Sequence, residues 1–282
     1  MTGPRISSRS LLRETFATTR PLYAPLLIIN SPSLIWSVLE TWGRNALEIH
    51  IIETTGAEHA GGGTFPVNPI YRLAEVPSWI YWLVVVPLLS GATIFYTYRS
   101  LTGNQVSVGE AFKHAYRRLP QLMLAWIPIA LMFYIYVSPG VLPQLMFASF
   151  STQNLFPLVF PGLILLIIPG LFLGIRLQFS LFATVIDNAA AQDSIRSSWK
   201  LTEERWWLLL RASILIGIVT AVPVQLIPLL ISNLMSYLPF NSNFSVTYQL
   251  VVIVLQISMG VLTSVYFVLL YRRLRDSAAA TQ

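Results

Sequence analysis

Residues Leu155 to Ile186 read LFPLVFPGLILLIIPGLFLGIRLQFSLFATVI, 32 positions with one charge, Arg176. A bilayer core of roughly 30 Å needs about 20 apolar residues at about 1.5 Å rise. A straight helix over this run would be about 48 Å long, so it must tilt, project beyond the core, or bend. Pro169 and Gly170 supply the bend, because Pro removes a backbone hydrogen bond and clashes with the preceding turn. Splitting the run there leaves two halves of about 16 residues with no polar turn between them, too short to span comfortably. One long, kinked membrane helix is the better reading.

The rest of the chain agrees. Of 282 residues, 55% are hydrophobic and only 11% charged, against about 25% charged in a soluble domain. Mean hydropathy is +0.64. Five further apolar segments are long enough to cross: 22–40, 78–98, 120–139, 206–232 and 248–271. The first is the weakest, interrupted by Asn30, Ser31, Pro32 and Ser33. No small-residue cleavage site follows it, so it reads as a retained span rather than a removed signal. The expected fold is therefore all-α: a bundle of about six transmembrane helices. Residues 1–21 form a basic lead-in with Leu11, Leu12 and Phe16 on one side, 22–271 the membrane domain and 272–282 a tail. Within the membrane domain, 41–77 is the longest outer loop, and Trp42 to Ile52 could extend the first helix into it.

Charge placement orients the bundle. If the first 21 residues are cytoplasmic, 15 of the 18 Lys and Arg residues fall on the inner side, as expected of basic residues near span ends. The inner groups are Arg5 to Arg20, Arg99 to Arg118, Arg196 to Arg211, and Arg272 to Arg275. Arg44 and Arg72 lie outside and Arg176 within a span; the outer loops 140–154 and 233–247 carry no charge. The net charge of +6 is thus an orientation signal and needs no nucleic acid. Both termini are expected in the cytoplasm.

After the long run the chain continues DNAAAQDSIRSSWKLTEERWW, residues 187–207. Asp187 or Asn188 can cap a short helix over 189–200. Ile195 and Trp199 share one face of it beside Arg196 and Lys200, which suits a basic amphipathic helix in the inner interface. Thr202 can cap the next span, with Glu203 and Glu204 in its first turn and Trp206 and Trp207 at the aromatic belt.

The positions Pro169, Gly170, Arg176, Asp187, Ser198, Trp199, Leu201, Thr202, Arg205 and Trp207 resemble a motif of a bacterial and archaeal family. That family comprises six-span membrane proteins of undefined function, whose membrane domain also occurs fused to glycerophosphoryl diester phosphodiesterases. The sequences Leu11-Leu12-Arg13-Glu14-Thr15-Phe16 and Gly109-Glu110-Ala111-Phe112 are similar too. The soluble phosphodiesterase domain has no room here, so the resemblance implies a bacterial cell (inner) membrane location and a bundle, not a hydrolase.

Few residues suggest chemistry. Arg176 is the one ionisable group inside an apolar run, and such groups are costly at membrane depth. At the inner end of its span it can bind carbonyls or a carboxylate such as Glu203, or contact lipid or substrate. Arg176, Asp187, Ser198, Trp199, Thr202 and Arg205 form the candidate lipid- or partner-contact motif, with Pro169 and Gly170 as the helix break. Glu48, His50, Glu53, Glu58 and His59 offer carboxylate and imidazole in the outer loop, but in no zinc-protease spacing, and the nearby glycines favour a solvated loop. His114 stands alone among basic residues and reads as surface. No phosphate loop, nucleophile elbow or dinucleotide fingerprint is present, and the chain has no Cys. The expectation is a multi-pass scaffold or accessory protein without catalysis or cofactor, contacting membrane lipids or other membrane proteins. Its rival is a small-solute or lipid transporter using kinked first and fourth spans.

Overall fold

In a computed structural model, residues 8–55, 78–137, 170, 172–203, 205–235 and 243–279 are described; they form eight α-helices. The first, α1 (Ser8–Thr55), runs unbroken through Pro21, Pro25 and Pro32. The basic lead-in and the first span are thus one helix from Ser8 onward. Asn30 does not unwind it: its Nδ2 donates to the Leu26 carbonyl at 2.8 Å and to Thr93 Oγ1 at 3.2 Å. The lead-in's expected apolar side is divided, since Leu11 is buried while Phe16 is 52% exposed. The inward stripe is Leu11, Thr15, Thr19, Leu26 and Ile29, with both threonines donating to carbonyls one turn earlier.

Helix α2 (Ser78–Leu101) contains a π-helical turn over Tyr81–Val85. That turn ends two residues before Pro87, whose ring cannot fit the preceding α-turn, and a wider turn absorbs the misfit. Tyr81 stacks flat on Trp36 of α1 at 4.9 Å. A turn through Gly103, whose φ of +79° suits glycine, leads to α3 (Val108–Arg117). That helix begins with a capping box: Ser107 Oγ accepts from Glu110 N–H, and Glu110 accepts from Ser107 N–H at 2.8 Å. These bonds hold the exposed Glu110 carboxyl below its usual range.

Helix α4 (Leu119–Val137) follows at once, with Pro120 in its first turn, where no N–H is missed. Next come α5 (Phe172–Ile186), α6 (Ala191–Glu203), α7 (Trp206–Met235) and α8 (Asn243–Ala279). Helices α1 and α8 are antiparallel neighbours, since Glu14 pairs with Arg273 and Tyr23 donates to Ser258. Helix α2 packs on α3, α5 and α8, and α7 lies against α8.

Among the described residues, four helices are long and apolar enough to cross a membrane: Ser8–Glu40 within α1, then Ser78–Leu101, Trp206–Ile231 and Leu250–Ala279. The other two expected spans appear among the described residues as shorter apolar helices, Leu119–Leu131 and Phe172–Ile186. The long run's first part, 155–169, lies outside the described residues, as does Pro169; Gly170 is buried. Within α5 the interruption falls at a turn over Gln178 and Phe179.

Among the described residues, the buried core gathers at one end of the bundle. It includes Leu26, Ala92, Leu122, Phe179, Leu209, Ile216, Val265 and Leu270. Gly91 allows close approach there: a Cβ on it would lie 2.6 Å from Leu122 Cδ1. The same end gathers Arg99, Arg118, Arg205 and Arg272 to Arg275, and is termed the basic end below.

Candidate functional site

The site is the junction of α5 and α6. Helix α6 begins at Ala191 rather than 189, and Asp187 and Asn188 do not cap it. They end α5 instead. Asn188 takes φ +56°, the left-handed conformation that stops a helix and that Asn tolerates. Asp187 N–H and Ala189 N–H both donate to the Ala183 carbonyl. The start of α6 is satisfied from another helix: Ala191 N–H donates to Gln121 Oε1 of α4 at 3.0 Å. Arg118, just before α4, donates to the Asn188 carbonyl at 3.0 Å.

A stripe of small residues, Ala191, Ser194, Ser198 and Thr202, faces the bundle. Their size brings the α6 backbone close to α5, and two reciprocal hydrogen bonds cross the gap. Ser198 Oγ donates to the Arg176 carbonyl at 2.6 Å, and Arg176 Nη1 donates to the Trp199 carbonyl at 3.1 Å. The guanidinium carbon lies 5.0 Å from the Phe172 ring and 4.9 Å from the Trp199 ring. Arg176 is only 8% exposed. Its charge is met by two aromatic faces and a carbonyl, not by Glu203; Nε has no hydrogen-bond partner among the described residues. Cation–π attraction is strongest when the cation is desolvated, about 2 kcal/mol.

Thr202 does not cap α7, which begins at Trp206. Its hydroxyl donates back to the Ser198 and Trp199 carbonyls, both at 2.9 Å. The Trp199 carbonyl therefore has an acceptor role for Thr202 as well as for Arg176. Trp206 joins the aromatic group at 6.0 Å from Phe172, while Trp207 is 67% exposed.

Arg176, Ser198, Trp199 and Thr202 thus come together, and Asp187 and Arg205 do not join them. Both reach α8. Tyr271 Oη donates to Asp187 Oδ2 at 2.5 Å, and Arg275 Nη1 lies 2.9 Å from Asp187 Oδ1. Arg205 donates to the Leu274 carbonyl at 3.1 Å and to Ser277 Oγ. Phe179 and Phe182 of α5 pack on the Tyr271 ring. The sequence reading missed Tyr271, Arg275, Phe172 and Gln121. Gln121 offered a signal, as a lone amide in the apolar start of α4.

His114 is not a simple surface residue. It stacks on Phe95 at 3.9 Å between ring centres, and its Nε2 is buried without a partner among the described residues. Burial pushes its pKa down; a backbone hydrogen bond to Val185 opposes this, and Arg118, Arg99 and Arg117 add to the depression. The outer-loop group of Glu48, His50, Glu53, Glu58 and His59 lies outside the residues whose side chains are described. Among the described residues no group of three or more His, Cys, Asp or Glu side chains is placed to hold a metal.

No curated protein and no solved structure matches the chain. The family match is to a domain of unknown function over residues 60–274, which includes every residue of the α5–α6 junction. It brings no link to phosphodiesterases. With most of its length matched, this probable multi-pass membrane protein belongs to the family described as domain of unknown function DUF7847.

Proposed function

We propose that the protein is a non-enzymatic six-span scaffold or accessory protein of a bacterial inner membrane. Both termini lie in the cytoplasm, and its basic end contacts membrane lipids or other membrane proteins. One observation carries this reading: four arginines tie separate segments together, and several buried hydroxyls are satisfied within their own helices. Arg118, Arg176, Arg205 and Arg272 each donate to a backbone carbonyl of another segment. The buried hydroxyls of Thr15, Thr19, Thr184, Ser194 and Thr202 return to carbonyls of their own helices. Groups so engaged are poorly placed to handle a solute or to act as acid and base. The likeness of the 169–207 motif to the phosphodiesterase-associated membrane domain fits such an accessory role.

The rival transporter would unwind its first span around substrate. That α1 stays helical through Asn30 to Ser33, with the Asn30 amide committed to Leu26 and Thr93, weighs against it. The test is mass spectrometry of lipids and proteins retained on the full chain in mild detergent. Reproducible retention of anionic lipid or of a membrane protein is expected. Retention of a water-soluble small molecule, with neither of these, would favour the transporter.

A further inference from the structure

The face of α6 turned away from the bundle carries an unfavourable arrangement. Arg196 and Lys200 are both exposed and stand four residues apart, where like charges on a helix repel. Neither has a hydrogen bond or ion pair among the described residues, and Glu203, three residues past Lys200, does not close on it. With Gln192, Ile195 and Trp199 these three line a shallow groove of about 370 Å³. Its floor therefore combines two free cations with an aliphatic and an indole side chain. The same indole covers Arg176, whose buried charge meets no carboxylate among the described residues and whose Nε has no acceptor.

We propose that this groove seats the headgroup of an anionic phospholipid of the leaflet facing the basic end. The phosphodiester oxygens lie between Arg196 and Lys200, accepting from both and removing their mutual repulsion. The upper acyl chains run along Ile195 and Trp199. A free phosphate would use the cations but leave the apolar pair idle, so a lipid is the better match. Two cations outweigh the single carboxylate of Glu203, which favours an anionic headgroup over one that carries an ammonium. The proposal deepens, and rests on, the reading of the protein as a lipid-contacting one.

The test is native mass spectrometry of the full chain in mild detergent, titrated with phosphatidylglycerol, with phosphatidylethanolamine, and with inorganic phosphate as competitor. The double variant Arg196→Gln/Lys200→Gln should bind phosphatidylglycerol about thirtyfold more weakly, since each basic residue near a headgroup surface contributes about fivefold. Its thermal unfolding should match wild type, because both side chains are exposed. Glu203→Gln should bind the lipid more tightly, and excess inorganic phosphate should leave it bound. Equal binding by wild type and double variant, preference for phosphatidylethanolamine, or displacement by phosphate would each overturn the site while leaving the broader reading intact. Wild-type protein that retains neither phosphatidylglycerol nor a membrane protein would overturn both.

Discussion

Among the described residues, the two halves of the bundle are built differently. At the basic end, α7 buries Leu209, Ala212 and Ile216, and α8 buries Val261, Tyr266, Leu270 and Leu274. Beyond Ile216 and before Val261 the same two helices expose Ile218, Val222, Leu226, Leu230, Val251 and Val254. Every long-range side-chain to backbone bond from an arginine lies at the basic end among the described residues. The apolar residues of the opposite halves suit a lipid solvent, which needs no burial of Leu or Ile. The basic end cannot rely on lipid, because its cations and the described helix termini need partners. Among the described residues, specificity of fold is therefore concentrated at one end, and substitutions should have sharply unequal effects at the two.

Glycines give the largest expected contrast. At Gly91 a new Cβ would meet Leu122 at 2.6 Å and Ala115 at 3.4 Å, and Leu122 is fully buried with little room to move. Gly91→Val should lower stability by about 3 kcal/mol, the upper range for overpacking. At Gly260, nothing lies within 4 Å of the new Cβ, so Gly260→Val should change the melting temperature little. Thermal melts of both variants in one detergent decide this; equal losses would erase the contrast between the halves.

Next in size is Arg176→Leu. It removes a charged hydrogen bond and two cation–π contacts, but the Trp199 carbonyl keeps its Thr202 donor. The loss should be about 2 kcal/mol, less than the 3–5 kcal/mol of a buried charge left without its partner. Arg176→Lys restores the charge without the planar fork, so recovery should be partial. Wild-type stability with depleted anionic lipid would instead make Arg176 a lipid ligand.

Smaller still is a pH effect at His114. Its folded-state pKa is lowered, chiefly by burial, so the folded form binds protons less readily than the unfolded chain. The contribution of neutral His114 is complete above pH 6.5, the unfolded value, and is lost as pH falls through the folded pKa. Melting temperature should drop between pH 7.5 and about pH 5, and His114→Phe, which keeps the stack on Phe95, should flatten that part of the drop. An identical pH profile in the variant would show that other groups carry it.

Apolar run length made the membrane helices legible in the sequence, and the motif spacing made Arg176, Ser198 and Trp199 stand out together. The misreadings have one physical origin. Asp187 and Thr202 look like caps because short polar residues beside a helix start usually are. Asp187 answers instead to Tyr271, 84 positions away, and Thr202 bonds its own preceding turn. Asn30 and Pro32 look like a break, but Thr93 and the α1 ladder hold the helix. Local chemistry can be read along the chain; a partner contributed by a distant helix leaves no local trace.

In the proposed topology the basic end is cytoplasmic and the chain crosses six times. Reporter fusions after residues 105, 195 and 282 should be active only in the cytoplasm, and fusions after 145 and 240 only outside. This pattern puts α6 and the α8 terminus on the inner face with Arg196, Lys200 and Arg272. A cytoplasmic signal at 145, or an external one at 195, would rule out this topology, because either requires a different number of crossings before that point.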